Sequence, residues 1–268
     1  SLLQELQLRS VGAMAAAKSA APAVPAGPPD YGLDAPRQFR SMLWRGGTLL
    51  ALAIGFLVMN QGDAARGGLA MFCILGCIGL GFLGTAFLMN RTSRVTKLEI
   101  RDEMLDAIPW RGDEKVLDVG CGRGLLAIGA AKRARGVKVT GIDYWSTEDL
   151  SGNDSTATMA NAKAEGVADR VKIETGDARR LPYQPNSYDV VVSSLAIHNI
   201  NESEGRDKAI LELLRVTKPG GIIAVFDIFN ANDYMRVLEE NGAAIERKSD
   251  RKFLGYVPAR WFVARKPV

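Results

Sequence analysis

The chain has 268 residues, close to half of them apolar, with 34 basic and 30 acidic side chains and a net charge of +4. That is enough apolar material for a substantial core in one large or two small domains, and too mild and too interspersed a charge to single out nucleic acid as a partner. Three cysteines without disulfide or zinc spacing, and a single histidine, exclude a disulfide scaffold and a clustered metal site and fit a reducing compartment.

Residues 1–40 read as a disordered N-terminal segment. Ser1 to Gly12 is short and mixed, and MAAAKSAAPAVPAGPP from Met14 reads as a translation start followed by an Ala/Pro tract that cannot bury a core. Residues 1–13 are then upstream material, the competing reading being a processed targeting peptide.

Residues 41–90 read as a transmembrane helical hairpin. Gly68 to Asn90 carries no charge and is long enough as a helix to cross the roughly 30 Å hydrocarbon core of a bilayer. Its partner, Met42 to Asn60, is interrupted by Arg45, which can snorkel to the head groups with Trp44 beside it at the interface. Between them QGDAARG (Gln61 to Gly67) makes a short polar turn, and Gly76, Gly79, Gly81 and Gly84 offer the small surfaces that let two such helices approach. Arg37, Arg40 and Arg45 precede the hairpin and Arg91, Arg94 and Lys97 follow it, so both ends are expected on the cytosolic side of an integral membrane protein. The competing reading is a hairpin buried in a soluble core.

Residues 91–268 form the third unit. Leu98 to Ile108 alternates at helical period and Pro109 closes it. Val116 to Val119 is a short buried strand, and a turn with Gly120, Gly122 and Gly124 leads into an apolar helix. Glycines there admit positive φ and let a ligand approach, and the helix start aims free N–H groups at it. A dinucleotide loop would place its third glycine at Leu125; here it stands at Gly124. A second strand, Val137 to Ile142, ends at Asp143, about 20 residues beyond the loop, where a carboxylate can accept both hydroxyls of a ribose.

A long polar loop, Tyr144 to Asp154, comes before a helix over Ser155 to Gly166. Tyr144 reads either as a ring packed on a ligand or as a plug at the sheet edge, and Trp145 either as a pocket wall or as a loop anchor. Val171 to Glu174 is the third strand and Val190 to Ser194 the fourth, apolar on both faces like a central parallel strand. His198, in LAIHNIN just past that strand, sits where open α/β sheets bind ligands. A helix over Glu202 to Val216, a KPGG turn and a strand over Ile222 to Ile228 follow, with Asp227 near its end able to face the pocket but read first, as a lone acid, as a loop or helix-start residue. Ala244 to Lys248 and Arg260 to Arg265 supply two more strands.

Taken together, VLDVGCGRG, the GID of Gly141 to Asp143, GDARRLPY from Gly176, YDVVVSSLAIHNI from Tyr188 and LRVTKPGG from Leu214 resemble, in order, the class I S-adenosylmethionine-dependent methyltransferases. Among these the chain is most similar to the ubiquinone/menaquinone-biosynthesis type, over residues 98–268. The resemblance implies an α/β, Rossmann-like, doubly wound sheet of seven strands behind the transmembrane hairpin, with S-adenosylmethionine as cofactor. It implies that the helix over residues 98–108 lids the site. Asp118 with the backbone of Gly120, Cys121 and Gly122 would hold the methionine end, Asp143 the ribose, Tyr144 an adenine face, and Asp177 with the Ala178 N–H the adenine edge. Gly124 and Ser194 complete the cofactor-binding set.

His198 is the candidate catalytic residue, with general base, substrate positioning and a structural role left open. A sulfonium methyl is already activated, so holding nucleophile, carbon and sulfur in line while excluding water suffices. The expected acceptor is a small, apolar or lipid-like molecule, the other partner is the bilayer through residues 42–60 and 68–90, and no metal or nucleic acid is expected. The alternative is a membrane-anchored binding or assembly factor that keeps the fold without catalysis.

Overall fold

The computed structural model describes residues 27–60, 65–254 and 257–268; the Met14 start, residues 1–13 and most of the Ala/Pro tract lie outside the described residues. Two long helices come first, α1 (Pro36–Met59) and α2 (Ala65–Arg91). They pack as an antiparallel pair, and only 11% of the most apolar stretch of each is buried within the chain. Among the described residues the seam is tight at Gly46 and Gly79, where a Cβ on Gly46 would stand 2.7 Å from Leu83 and 2.9 Å from the Gly79 carbonyl oxygen, and again at Gly68, where one would stand 2.7 Å from Asn60. The expectation for the other glycines is corrected. Gly76, Gly81 and Gly84 face open space, because helical period turns only Gly79 of the four toward α1. Arg45 lies over the Phe82 ring at 5.9 Å, so its charge rests on an aromatic face of the partner helix.

The hairpin is joined to the domain without a break. After α2 the chain makes one π-helical turn, Thr92–Thr96, and continues as α3 (Lys97–Asp106). The reading of residues 1–40 as disordered is corrected for its described part: residues 30–35 form a strap across the domain, and α1 begins at Pro36. The Asp34 and Leu150 backbones form a bridge, and the buried Lys97 ammonium donates to the carbonyls of Tyr31 and Gly32 and to Asp34. What a composition rich in Pro and Gly conceals is a short acidic and aromatic run, DYGLD, held by tertiary contacts.

The strands are β1 (Lys115–Val119), β2 (Lys138–Asp143), β3 (Val171–Thr175), β4 (Tyr188–Ser194), β5 (Thr217–Ile228), β6 (Ala244–Lys248), β7 (Lys252–Leu254) and β8 (Val257–Arg265). They form one sheet in the order β3-β2-β1-β4-β5-β8-β6, with β7 paired to β8. The first five are parallel, and β8 is antiparallel to β5, β6 and β7. Seven strands make the doubly wound path that the motifs imply, and the three-residue β7 is an eighth, too short to show a period.

Helices α4 (Leu125–Ala131) and α5 (Ser155–Ala164) cover one face with α3, and α6 (Ser203–Val216) and α7 (Ala231–Glu240) cover the other. Alternation along the strands divides the core accordingly. Val116, Val190 and Val192 join Met104 and Ile128, whereas Leu117, Val191 and Ile223 join Leu213 and Leu238. α3 is therefore mainly a core helix, with Ile100, Met104 and Leu105 buried, and the covering of the site falls to the strap and to the π-helical turn. Strand order reverses between β1 and β4, which opens a crevice at their carboxyl ends.

Candidate functional site

A cavity of about 490 Å³ occupies that crevice. Its floor is the β1–α4 turn. Gly120, Gly122 and Gly124 have φ of +71°, +50° and +87°, as the glycine pattern requires. At Gly120 the need is steric as well, since a Cβ would lie 2.2 Å from the Cβ of Ala196. Gly120, Cys121 and Gly122 line the cavity, while Gly124 caps α4 from behind. The turn's N–H groups are not free for a ligand: those of Gly120 and Cys121 donate to the Ile142 carbonyl, and that of Gly122 to Asp143 at 2.7 Å.

Asp118 stands behind the turn and does not reach the cavity. Its carboxylate is 1% exposed and accepts the Ala127 N–H at 2.8 Å, so it ties β1 to the first turn of α4. Burial pushes its pKa up to about 8, against the help of that hydrogen bond, and the Asp143 charge adds to the rise. The role expected for this side chain at the methionine end is thereby corrected to one of shaping the turn. Cys121 is likewise buried, and burial, with the two nearby carboxylates, holds its thiol well above the ordinary range.

Asp143, at the end of β2, does line the cavity. One oxygen accepts from Gly122, and the other accepts the Trp145 N–H at 2.6 Å and the Asn153 amide at 3.3 Å. These bonds fix the orientation of the carboxylate at the cavity wall. Tyr144 also lines the cavity and is largely exposed, its hydroxyl donating to Asp149. Trp145 is the loop anchor of its two readings, for its Nε1 donates to Thr175 at 2.9 Å. Asp177 and Ala178 are not brought to the cavity. The Asp177 carboxylate is held by the Arg179 guanidinium, which keeps its pKa below the usual range.

At the end of β4, Ser194 lines the cavity with its hydroxyl buried and unpartnered. The next turn carries His198, whose Nδ1 is 2.5 Å from Asp227 Oδ1 and whose backbone N–H donates to Asp227 Oδ2 at 3.1 Å. Asp227 is 1% exposed, near the end of β5, and corrects the reading of that acid as a loop or helix-start residue. Burial by itself would lower the imidazole pKa, but the Asp227 charge and hydrogen bond outweigh it and raise the pKa above 6.5. With Nδ1 committed to Asp227, Nε2 is the ring nitrogen left for the cavity.

Two other features were not legible in the sequence. Asn153 has its amide nitrogen on Asp143 and Ser146, and its Oδ1 is buried without a partner at the cavity; its only signal was its place in an unusually long loop. The strap supplies Tyr31, Asp34 and Ala35 to the wall, joined by Ser93 and Lys97. Strain gathers in the same place, since Ala35, Trp145, Leu195 and Phe229 all take positive φ on segments that border the cavity.

The set fits a nucleoside-bearing cofactor. Two orphaned buried oxygens, Ser194 Oγ and Asn153 Oδ1, need a partner there, and the Asp143 carboxylate and the glycine turn face the same space.

Comparison with known proteins agrees with this geometry. Residues 117–225 match the family model described as "Methyltransferase domain". The chain is 33% identical over 127 residues to a ubiquinone/menaquinone biosynthesis C-methyltransferase of Cereibacter sphaeroides, covering 47% of each chain. Among solved structures it is similar to the [4+2]-cyclase SpnF, with a TM-score of 0.53 and 22% identity over 64% of this chain and 82% of that one. It is also similar to a geranyl diphosphate C-methyltransferase from Streptomyces coelicolor A3(2) in complex with S-adenosyl-L-homocysteine, with a TM-score of 0.52 and 13% identity over 63% and 78%. These structural likenesses show the fold. The chain spans about half the length of the curated relatives it matches. The α/β domain has the Rossmann-like sheet of such methyltransferases, part of it matches their domain model, and S-adenosylmethionine is the expected cofactor.

Proposed function

We propose that the protein is a membrane-anchored enzyme that moves a methyl group from S-adenosylmethionine to a small, apolar or lipid-like acceptor. The observation that carries this reading is one cavity in which a ribose acid, two orphaned buried oxygens and a histidine–carboxylate pair converge at the carboxyl ends of β1, β2, β4 and β5.

Asp143 would hold the ribose hydroxyls, Ser194 Oγ the methionine end where the side-chain-free Gly120 and Gly122 leave room for it, and the Tyr144 ring an adenine face. When bound, the cofactor supplies an electrophilic methyl on sulfur. The protein's own work is to hold an acceptor atom in line with that methyl, exclude water and receive a proton. Neutral His198 presents its Nε2 lone pair to the cavity. Nε2 would take up the acceptor's proton, and Asp227 would balance the imidazolium charge. The strap and the π-helical turn cover the site against water.

The anchor reading is supported by helices of 24 and 27 residues whose side chains are mostly exposed, including Leu52, Ile54, Ile74 and Phe87. Arginines flank both ends of the hairpin that meet the domain, which favours a cytosolic domain. The apolar walls of the cavity, among them Met89, Leu150, Leu195 and Val257, favour an apolar acceptor, and the quinone-methylating relative points the same way.

The test is calorimetric titration of the detergent-solubilised protein with S-adenosylmethionine, S-adenosylhomocysteine and NAD. Micromolar binding of the first two and none of the third is expected. The fold also hosts a cyclase, and failure to bind either sulfur ligand would transfer weight to a binding or assembly role.

A further inference from the structure

We propose that the strand-end face of the domain docks on the leaflet that anchors the hairpin, so that the cavity opens to lipid and draws its acceptor from the bilayer instead of from bulk water. The inference rests on the membrane-anchored reading above.

The first ground is where the spanning helices end. The cavity wall includes Ala35 and Gln38 from the start of α1, Met89 from the last turns of α2, and Thr92 and Ser93 from the π-helical turn. At about 1.5 Å per residue, the uncharged run from Gly68 to Met89 is roughly 33 Å long, the thickness of the hydrocarbon core. Met89 is thus both the end of the hydrocarbon-length stretch and a wall of the cavity. That sets the mouth at the depth of the head groups.

The second ground is the stiffness of the joint. A pocket on a flexible tether would face the membrane only in passing. Here the helix is continuous from Arg66 to Asp106 through the π-helical turn. The start of the hairpin is also sewn to the β2–α5 loop: Ala35 N–H donates to the Asp149 carbonyl at 2.9 Å, Leu33 N–H to Ser151 Oγ at 2.8 Å, and Arg37 pairs with Glu148 at 2.8 Å. The orientation of the hairpin therefore sets the orientation of the mouth.

The third ground is the chemistry of the rim. Phe229 lines the cavity yet is 66% exposed, held outward by a backbone of φ +59°. In water this conformation strains the chain and wets an aromatic ring; against acyl chains the ring is buried. Next to the mouth a hollow of about 160 Å³ is lined by Phe229, Arg251 and Arg260, with Asp227, held by His198, and Asn232, which accepts from Arg260, also on its wall; the two arginines can meet a head-group phosphate there. Arg40, Arg91 and Arg94 add positive charge at the base of the hairpin. The acids of the mouth are engaged, Glu148 by Arg37 and Asp149 by the Tyr144 hydroxyl, so the basic flanks beside Phe229, continuous with a spanning hairpin, match an anionic leaflet.

The test uses the full chain in vesicles of phosphatidylcholine and phosphatidylglycerol that include a phosphatidylcholine with a diazirine near the carboxyl end of one acyl chain. After irradiation, adducts are mapped by peptide mass spectrometry, and S-adenosylhomocysteine binding is measured on the same vesicles. Adducts on the peptides carrying Phe229 and Met89, together with those on the outer faces of α1 and α2, are expected. Adducts confined to α1 and α2 residues short of Met89, with homocysteine-ligand binding intact, would overturn the docking face and leave the methyltransferase reading standing. Adducts at Phe229 without ligand binding would support the docking face and count against the methyltransferase reading. No adducts anywhere would overturn both the anchor and the inference built on it.

Discussion

Replacing Asp227 by Asn removes one charge from the deepest pair in the site while keeping the size of the side chain. Asp227 Oδ1 accepts from His198 Nδ1 and from the Ile228 N–H at 2.9 Å, and Oδ2 accepts from the His198 N–H at 3.1 Å. An amide has one acceptor oxygen, so in either orientation its NH2 group confronts a backbone N–H, and one buried donor loses its partner. The expected destabilisation is about 1–3 kcal/mol.

The larger effect is on His198. Without the Asp227 carboxylate, burial lowers the imidazole pKa and only the Asp149 and Asp34 charges still raise it, so the pKa should fall from its wild-type position. The imidazolium formed during proton transfer also loses its counter-charge, and turnover should fall by about a hundredfold or more, the usual contribution of a positioned base. Because His198 is the only histidine in the chain, its ring signals in a nuclear magnetic resonance titration need no assignment by subtraction. The wild-type midpoint should lie above 6.5 and the Asp227→Asn midpoint below that of the wild type, with S-adenosylhomocysteine affinity retained because Asp227 does not line the main cavity. A wild-type midpoint at or below 6.5, or one that the substitution leaves in place, would refute the dyad. The sign carries over to stability. A raised folded-state pKa means that the pair's contribution is complete below pH 6.5 and is lost as pH rises through the folded value.

Ser194→Ala removes a hydroxyl with no partner in the protein, so thermal stability should hold while affinity for S-adenosylhomocysteine or for the acceptor falls by about 1 kcal/mol, roughly fivefold; unchanged affinity for both would exclude the hydroxyl from the site. Asp118, with its pKa raised to about 8, binds a proton more tightly folded than unfolded, so the wild type should lose stability as pH rises from about 4 to 8. Asp118→Asn should flatten that slope in chemical denaturation, and an unchanged slope would place the effect on other groups. Gly46→Leu should push α1 and α2 apart and lower the melting temperature in detergent, whereas Gly76→Leu, which meets open space, should leave it within about 1 °C. Equal effects would show that the seam runs elsewhere.

Short windows of sequence were sufficient for much of this protein. Positive φ at Gly120, Gly122 and Gly124, apolar strands ending at Asp143 and Ser194, and two apolar runs of membrane length are properties of a few consecutive residues, and the structure bears out the turn, strands and helices. The site's partners are not. Asp227 meets His198 across 29 positions because β4 and β5 lie side by side, and nothing near Asp227 in the chain distinguishes it from a cap. Asp177 shows the reverse case, a motif residue whose carboxylate is held by Arg179, two positions on, before any ligand can reach it. Residues 30–35 read as unstructured because their order comes from Lys97 and the β2–α5 loop, 63 and more positions away. Along α2, glycine content announced a close seam, but which glycine forms it depends on where α1 lies. Local conformational preference is written in neighbouring residues, whereas pairing, facing and covering are set only when the chain folds back on itself, and that closure decided which polar groups of this site meet.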